Sequence, residues 1–177
     1  MITLVQRGLI NDLPDIKTQQ QLKEYLEYRD GHLWWIKKSA RCIKIGQQFG
    51  SYHDKGYRQG WFKGKMYKEH RLIWFYHKGE WPNDQLDHKD TDREGNEIDN
   101  LRECNNSQNQ RNRKITVASS KYKGVSFNKR LQKYVAYASL NKKRYHLGTF
   151  ECEIAAAKAY DEFANRNFGN YKRINFG

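Results

Sequence analysis

The chain has 177 residues, of which 37% are hydrophobic and 14% aromatic, so it is long enough for one large or two small globular domains. Its formal net charge of +13 suits a polyanionic partner such as nucleic acid, although charge alone does not separate DNA from RNA or from a membrane surface. No stretch approaches the roughly 20 apolar residues of a membrane span, and the segment from Met1 to Asp15 lacks the apolar core of a signal peptide. We therefore expect a cytoplasmic protein with no membrane partner.

The charge is unevenly distributed along the chain. Residues 113–177 hold 14 Lys and Arg against 4 Asp and Glu, so most of the positive excess lies in the last third. Residues 84–103 are acidic instead, with 8 Asp and Glu against 3 Lys and Arg, and an acidic stretch in a polyanion binder indicates a metal ion. The cysteines are isolated from one another, which predicts neither a disulfide framework nor a Cys-x-x-Cys zinc site: Cys42, Cys104 and Cys152.

The first predicted elements are a short helix and a small sheet. Thr18 is the predicted cap of the helix, Asp30-Gly31 ends it, and its apolar positions recur at helical spacing at Leu22, Tyr25 and Leu26. A strand is predicted over residues 32–37, and two more, over 56–62 and 66–68, flank a tight turn at Lys63-Gly64. A second helix is predicted from Glu69 to near Gly79.

The acidic stretch follows this second helix. Leu86-Asp87-His88 is predicted to end a strand, and residues 89–96 have the composition of a loop. The asparagine-rich segment after Asn100 has few apolar residues that a helix could bury, and a helix is predicted only for its second half. Residues 111–120 are rich in Arg, Lys and Ser and predict a linker, with a domain boundary near residue 117.

The last segment predicts three strands and one helix. The strands are expected over residues 124–127, 133–140 and 143–147, and the helix over 151–168. The helix carries Ala156, Ala159, Tyr160 and Phe163 on one side, and its alanines allow close packing on a sheet. The prediction is a three-stranded antiparallel sheet backed by one helix, within an α+β fold for the whole chain.

The acidic stretch contains the groups that phosphodiester hydrolysis requires. Asp87 is an oxygen ligand suited to Mg²⁺ or Mn²⁺, and His88 can take a proton from water near neutral pH. Asn100 and Asn109 offer amide oxygens that can bind a metal or hold a loop. Adjacent Asp and His residues point to opposite faces of a regular strand, so spacing alone leaves open a solvated acidic loop with a surface histidine.

The order of these residues resembles the HNH endonuclease family, and more narrowly the phage and intron-encoded homing endonucleases. The resemblance covers roughly residues 55 to 113 and is carried by His70-Arg71-Leu72, Gly79-Glu80-Trp81-Pro82, residues 86–90, Asp99-Asn100-Leu101-Arg102 and residues 106–112. It implies a ββα-metal motif, in which Asp87 and His88 lie on the first strand of a hairpin and Asn109 lies on the helix.

The resemblance also implies roles for these residues. His88 would be the general base, Asp87 and Asn109 would bind one divalent cation, and Asn100 would fix the loop that presents His88. The expected products carry 3′-hydroxyl and 5′-phosphate ends. Many members have histidine where this chain has Asn109, and the asparagine oxygen favours Mg²⁺ or Mn²⁺ over zinc. For His70 and His77 we expect structural or phosphate-contact roles rather than metal binding.

Residues 121–176 resemble the AP2 domain. The motifs are Lys123-Gly124-Val125-Ser126, residues 133–136, Leu147-Gly148-Thr149-Phe150, residues 155–161 and Ile174-Asn175-Phe176. In that family the sheet lies in the major groove of double-stranded DNA, where side chains on one strand face project together. The implied DNA-facing residues are Lys123, Ser126, Asn128, Tyr137, Ser139, Arg144 and His146. Phosphate contacts are expected from Lys129, Arg130, Lys133, Lys142 and Lys143.

Together these patterns predict three regions: an N-terminal helix and β region (1–54), an HNH nuclease (55–116) and an AP2-like DNA-binding domain (117–177). The main hypothesis is a metal-dependent endonuclease whose AP2-like part chooses the site. The alternatives are a DNA-binding regulator that does not cut, and a protein that binds or cleaves RNA. The sequence does not decide between a monomer and a homodimer.

Overall fold

A computed structural model describes residues 18–53, 56–113 and 119–176 of the chain. Residue contacts divide the chain into two compact units, residues 1–103 and 104–177, and each is described by itself. The architecture is α+β with several small sheets, as predicted. The segment from Met1 to Asp15 and residues 114–118 of the predicted linker lie outside the described residues.

The first unit begins with a helix that is shorter than predicted. Helix α1 (Gln19–Lys23) is capped by the Thr18 side chain, which accepts a hydrogen bond from the Gln21 N–H. The chain then forms strand β1 (Leu26–Arg29), which pairs antiparallel with β2 (His32–Trp35). The prediction that the helix continues to Asp30-Gly31 was wrong, because this dipeptide, with φ of 49° and 76°, is instead the turn of a β-hairpin.

A three-stranded antiparallel sheet and a long helix complete the core of the first unit. The sheet contains β3 (Ser51–Tyr52), β4 (Arg58–Phe62) and β5 (Lys65–Lys68), and β4 turns into β5 at Lys63-Gly64 as predicted. Helix α2 (Glu69–Lys78) ends at Gly79, which adopts a left-handed conformation. The buried core joins these elements through Leu22, Leu26, Leu33, Trp35, Phe49, Phe62, Tyr67, Leu72, Ile73, Phe75 and Leu101.

A small two-stranded sheet follows α2. It consists of β6 (Gln85–His88) and β7 (Leu101–Cys104), and a 3₁₀ turn at Ile98–Asn100 leads into β7. The Lys89 N–H donates to the Asn100 carbonyl where the loop between the strands begins and ends. Helix α3 (Asn106–Asn112) comes next along the chain, so the predicted order of hairpin and helix is confirmed.

The second unit contains α3 and a three-stranded sheet packed on a helix. Strands β8 (Val125–Asn128), β9 (Lys133–Leu140) and β10 (Lys143–Phe150) are antiparallel, with β9 in the middle. Helix α4 (Glu153–Asn167) covers one face of this sheet. The contact is made by small and aromatic side chains: Val125, Ala136, Ala138, Ala156, Ala157, Tyr160, Ala164 and Phe168.

The carboxylate of Asp161 on α4 anchors the C-terminal segment. It accepts hydrogen bonds from the backbone N–H groups of Asn175 and Phe176 and from the Asn175 side chain. The Asn175 amide in turn bonds both the N–H and the carbonyl of Lys123, just before β8. This pairing joins the end of the chain to the start of the sheet.

Candidate active site and DNA-binding face

Strand β6 places the two central residues of the predicted site. Asp87 and His88 are both buried, with 7% and 3% of their surfaces exposed. Asp87 contacts Arg102 on the neighbouring strand β7, whereas His88 contacts the loop residue Asn96. The two side chains therefore have different partners, as expected for neighbouring residues of a strand. Their burial shows that His88 is not a surface histidine in a solvated loop.

The carboxylate of Asp87 is held by the guanidinium of Arg102. Arg102 Nη2 lies 2.7 Å and Nε lies 3.0 Å from the same oxygen, Asp87 Oδ2. Both side chains are largely buried, so water screens this pair only weakly. Arg102 was recognised in the sequence only as part of a motif, and its contact with Asp87 was not predicted.

His88 lies in a cluster of rings. Its ring centroid is 5.4 Å from that of His70 on α2 and 6.1 Å from that of Tyr57. Burial, together with the neighbouring His88, holds the pKa of His70 well below its usual range, so His70 is neutral at neutral pH. The cations of Lys68 and Arg93 lie about 5 Å from the centre of the Tyr57 ring.

Asn96 is a site residue that the sequence analysis missed. Its side chain is 1% exposed, with Oδ1 at 2.9 Å from His88 Nε2 and Nδ2 at 3.2 Å from Glu69 Oε2. The amide thus links the predicted general base to a buried carboxylate. In the sequence Asn96 is one asparagine within a polar loop, and no local pattern separates it from its neighbours.

Glu69, the first residue of α2, is completely buried. Its Oε1 accepts a hydrogen bond of 2.9 Å from the Leu33 N–H on β2, and its Oε2 lies 3.1 Å from His32 Nδ1. Arg58 Nε is 3.8 Å from Oε2. Burial raises the pKa of the Glu69 carboxyl, while the Leu33 N–H, His32 and Arg58 act in the opposite direction.

The side chain of Asn100 makes contacts within the loop that joins β6 to β7. It accepts a hydrogen bond from the Asp90 N–H, and it donates to Asp90 Oδ1 and to the Gly95 carbonyl. The Thr91 N–H donates to the carbonyl of His88 in the same loop. These contacts are those expected of a residue that fixes the loop, and the catalytic part of the role stays a prediction.

Asn109 lies on α3, in the second unit, and is half-buried. The helix begins with a capping box, in which Asn105 accepts from the Gln108 N–H and the Gln108 side chain accepts from the Asn105 N–H. Asp87, His88 and Asn100 lie in the first unit. The metal-binding role of Asn109 stays a prediction.

The predicted metal ligands fit a hard divalent cation by donor chemistry. A carboxylate oxygen from Asp87 and an amide oxygen from Asn109 are ligands of the kind that Mg²⁺ and Mn²⁺ prefer. Within the described ranges, no group of three His, Cys, Asp or Glu side chains is arranged to hold a metal ion. The hydrogen bonds from Arg102 show that the Asp87 carboxylate is oriented by a cation of the protein itself.

The sheet of the second unit presents one face away from α4. Ala136 and Ala138 of β9 pack toward α4, so the alternating residues of β9 and their cross-strand partners point to the other face. This open face carries the predicted phosphate contact Lys133 and most of the predicted DNA-facing positions: Ser126, Asn128, Tyr137, Ser139, Arg144 and His146. The Arg144 guanidinium lies 3.8 Å above the Tyr137 ring, and the His146 ring meets that ring edge-on.

The other predicted phosphate-binding residues lie at the ends of these strands. Lys129 and Arg130 are exposed in the turn between β8 and β9, where Asn128 Oδ1 accepts from the Arg130 and Leu131 N–H groups. Lys133 is exposed and lies 3.3 Å from Glu151. Lys142 and Lys143 are exposed at the turn into β10. Their contacts with DNA stay predictions.

Lys123 has a different environment from the other basic residues. Its Nζ donates to the carbonyls of Arg111 at 2.5 Å, Arg113 at 2.7 Å and Gln110 at 3.4 Å, at the C-terminal end of α3. Burial, followed by the charges of Arg173 and Arg113, lowers the pKa of Lys123 to about 8. The ammonium therefore caps the helix that carries Asn109. A DNA contact from the same residue stays a prediction.

The buried histidine beside a carboxylate on β6, together with the basic open sheet, is the combination expected of a nuclease that binds DNA. Two family models match the chain: residues 67–111 match the HNH endonuclease family and residues 120–170 match the AP2 domain. The two matches support a nuclease with a C-terminal AP2 domain, and they support DNA as the partner. HNH nucleases generally use a divalent metal.

Searches of curated proteins and of solved structures found no match. Among the described residues, no helix is long and apolar enough to span a membrane.

Proposed function

We propose that the protein is a metal-dependent endonuclease of the homing type, which hydrolyses double-stranded DNA at a site chosen by the AP2 sheet. The proposed regions are residues 1–54 for the N-terminal part, 55–116 for the nuclease and 117–177 for DNA binding. The proposed products are a 3′-hydroxyl and a 5′-phosphate. The cation is Mg²⁺ or Mn²⁺, bound by Asp87 and Asn109.

The observation that carries the proposal is the hydrogen bond between His88 Nε2 and the Asn96 side-chain oxygen. An amide oxygen only accepts, so Nε2 carries the proton in neutral His88 and Nδ1 is the proton-accepting atom. A buried imidazole with one nitrogen committed in this way is suited to general-base catalysis. Its neighbour His70 is neutral, so it does not repel a proton that His88 gains.

The proposed reaction is an in-line displacement at phosphorus. His88 Nδ1 takes a proton from water as the water oxygen forms a bond to phosphorus, and the bond between phosphorus and O3′ breaks. The O3′ leaving group takes a proton from solvent water, which gives the 3′-hydroxyl, while the phosphate stays on the 5′ carbon. A divalent cation supplies charge stabilisation to the phosphate and the leaving oxygen when bound. Lys68 and Arg93, beside Tyr57, add positive charge near the histidine cluster.

Cleavage of supercoiled plasmid and long phage DNA tests the nuclease proposal. We expect nicking or cutting with Mg²⁺ or Mn²⁺, none with EDTA, and a loss of roughly 10²- to 10⁴-fold in His88→Ala. His53→Ala is the matched control, because His53 is exposed on the same unit, and it should cut as the wild type does. A His88→Ala protein of wild-type activity would exclude the proposed base. Wild-type protein that binds DNA but never cuts would favour a regulator.

A second experiment tests whether the AP2 sheet chooses the site. In vitro selection of bound duplexes first defines the preferred sequence, and Arg144→Ala is then compared with Arg166→Ala, an exposed arginine on α4. We expect Arg144→Ala to weaken binding to the selected duplex by roughly 10- to 100-fold and to relax the preference, as loss of a base contact does. Arg166→Ala should change neither. Equal effects of the two variants would refute site choice by this face.

A further inference from the structure

Three buried side chains form a continuous hydrogen-bonded path from the N-terminal hairpin to the base. Leu33 N–H donates to Glu69 Oε1, Asn96 Nδ2 donates to Glu69 Oε2, and Asn96 Oδ1 meets His88 Nε2. The three side chains are at most 3% exposed. Leu33 lies on β2, outside the residues 67–111 that match the nuclease family.

We infer that Glu69 and Asn96 are positioning residues that hold His88 in its Nε2-protonated tautomer, and that the Leu33 N–H on the N-terminal hairpin sets the direction of this hydrogen-bond path. The inference rests on the proposed role of His88 as general base. It assigns a function in catalysis to a hairpin that contributes no group to the reaction.

The direction of the path follows from what each group is able to donate. A backbone N–H only donates, and the Glu69 carboxyl accepts at both of its oxygens, from the Leu33 N–H at Oε1 and from Asn96 Nδ2 at Oε2. The Asn96 amide must therefore turn its NH₂ toward Glu69, which leaves its oxygen toward His88. The His88 imidazole must donate an N–H to the Asn96 oxygen. Nε2 is therefore protonated, and Nδ1 keeps its lone pair. A buried amide in the opposite orientation would face Glu69 with its own oxygen, which is unfavourable.

The substitution Glu69→Gln reverses this direction while it keeps the shape of the side chain. The Leu33 N–H can only donate and requires an oxygen at the position of Oε1, whereas His32 Nδ1 and the Asn96 amide, the hydrogen-bond partners of Oε2, can each present an acceptor instead of a donor. The new NH₂ therefore occupies the position of Oε2. That NH₂ faces Asn96, which must then present its oxygen to residue 69 and its NH₂ to His88. The imidazole now accepts at Nε2, and its proton moves to Nδ1, the atom that should take a proton from water.

The double substitution Glu69→Gln with Asn96→Asp restores the original tautomer. The carboxylate introduced at position 96 accepts both from the NH₂ at position 69 and from His88 Nε2–H. The number of buried carboxylates is the same as in the wild type. A role in folding alone would make the double variant at least as defective as the single one, because two native residues are then changed instead of one.

The test combines the ¹⁵N NMR spectrum of the histidine side chains at pH 8 with single-turnover cleavage. The His88 signals are assigned by their loss in His88→Ala, and the protonated and unprotonated nitrogens have well-separated shifts. We expect Nε2–H in the wild type and Nδ1–H in Glu69→Gln. The cleavage rate of Glu69→Gln should fall roughly 10²- to 10⁴-fold, comparable to other enzymes whose catalytic histidine is held in the wrong tautomer, with DNA affinity unchanged. The double variant should regain Nε2–H and recover cleavage to within about tenfold of the wild type.

Two results would overturn the inference. One is an Nδ1–H tautomer in the wild type, which needs no variant to fold. The other is a folded double variant that keeps Nδ1–H or fails to recover cleavage relative to Glu69→Gln. If the wild type carries Nε2–H but cuts no DNA, the positioning path stands and the proposed nuclease function fails.

Discussion

Arg102 donates two hydrogen bonds to Asp87 Oδ2, from Nη2 at 2.7 Å and from Nε at 3.0 Å. Asp87 is also the proposed metal ligand of β6. A divalent cation bound to this carboxylate therefore has a guanidinium charge as a close neighbour, and the repulsion lowers the affinity for the metal. The same guanidinium fixes the direction of the carboxylate, so Arg102 would weaken the binding of a metal while it orients the proposed ligand.

Substitution of Arg102 by glutamine should tighten metal binding. Removing one positive charge next to the carboxylate is expected to lower the dissociation constant for Mn²⁺ by roughly 3- to 10-fold. Titration calorimetry with Mn²⁺ measures this, and Arg71→Gln, an arginine substitution on α2, is the control for a general loss of charge. If Arg102→Gln binds Mn²⁺ as the wild type does or more weakly, while Arg71→Gln binds it as the wild type does, orientation of Asp87 outweighs the repulsion.

Substitution of Lys123 by methionine should loosen α3 more than it weakens DNA binding. The Lys123 ammonium bonds three carbonyls at the end of this helix, so its loss should speed amide exchange in the last turn of α3 by about tenfold. Lys129→Met, in the exposed turn between β8 and β9, should instead weaken DNA binding several-fold. It should also reduce the slope of the logarithm of DNA affinity against the logarithm of salt concentration by about one. Similar losses of DNA affinity in both variants, with unchanged exchange, would contradict the helix-capping role.

The lowered pKa of Lys123 predicts a pH dependence of stability. Its folded pKa is about 8, below the ordinary value of 10.5, so between these values the unfolded chain binds more protons than the folded chain. The free energy of unfolding of the wild type should therefore rise, relative to Lys123→Met, as the pH increases from about 8 toward 10.5. Urea denaturation of both proteins at pH 7.5, 8.5 and 9.5 measures the difference. A difference that stays constant or falls with pH would disprove the assigned shift.

Replacement of Gly124 by any residue with a Cβ is predicted to destabilise the second unit. Its φ is 76°, and a Cβ there would lie 2.0 Å from Tyr160 Cδ2 and 2.7 Å from the Tyr137 carbonyl oxygen. Gly124→Ala should lower the free energy of unfolding by roughly 3 kcal/mol, from backbone strain and overpacking combined. Gly169→Ala, at φ 52° with open space around the new methyl, should cost only about 1 kcal/mol. Comparable chemical denaturation midpoints for the two variants would argue against a close contact between β8 and α4.

The parts predicted well from the sequence are those with a strong local pattern. Ala136 and Ala138, alternate residues of the predicted strand β9, are buried in the core against α4, and Ala156 and Tyr160 of the predicted apolar helix face lie in that core. Gly79 and Lys63-Gly64 mark the end of a helix and a turn because few other residues adopt positive φ as readily. The strand that ends in Asp87-His88 was predicted for similar reasons.

The parts that were missed depend on contacts between residues far apart in the chain. Tyr25 and Leu26 continue the helical spacing of apolar residues. Leu26 nevertheless lies in a strand, because the chain turns at Asp30-Gly31 and Leu26 then pairs with Trp35. Glu69 has the position of an ordinary acidic residue at the start of a helix, and only the fold buries it against Leu33 and Asn96. The resemblance to the HNH family therefore indicated His88 as the proposed base, but no pattern in the sequence indicated Glu69 and Asn96 as its hydrogen-bonded neighbours.

Lys123 also determines where the protein can be recombined with other DNA-binding domains. The predicted boundary near residue 117 offers a place to join a new domain, but such a junction would separate α3 from the lysine that caps it. A chimera made between Glu103 and Cys104 would instead transfer the helix and its cap together. To exchange target specificity, the recipient protein must therefore take the donor's helix α3, which carries Asn109, together with the donor's three-stranded sheet.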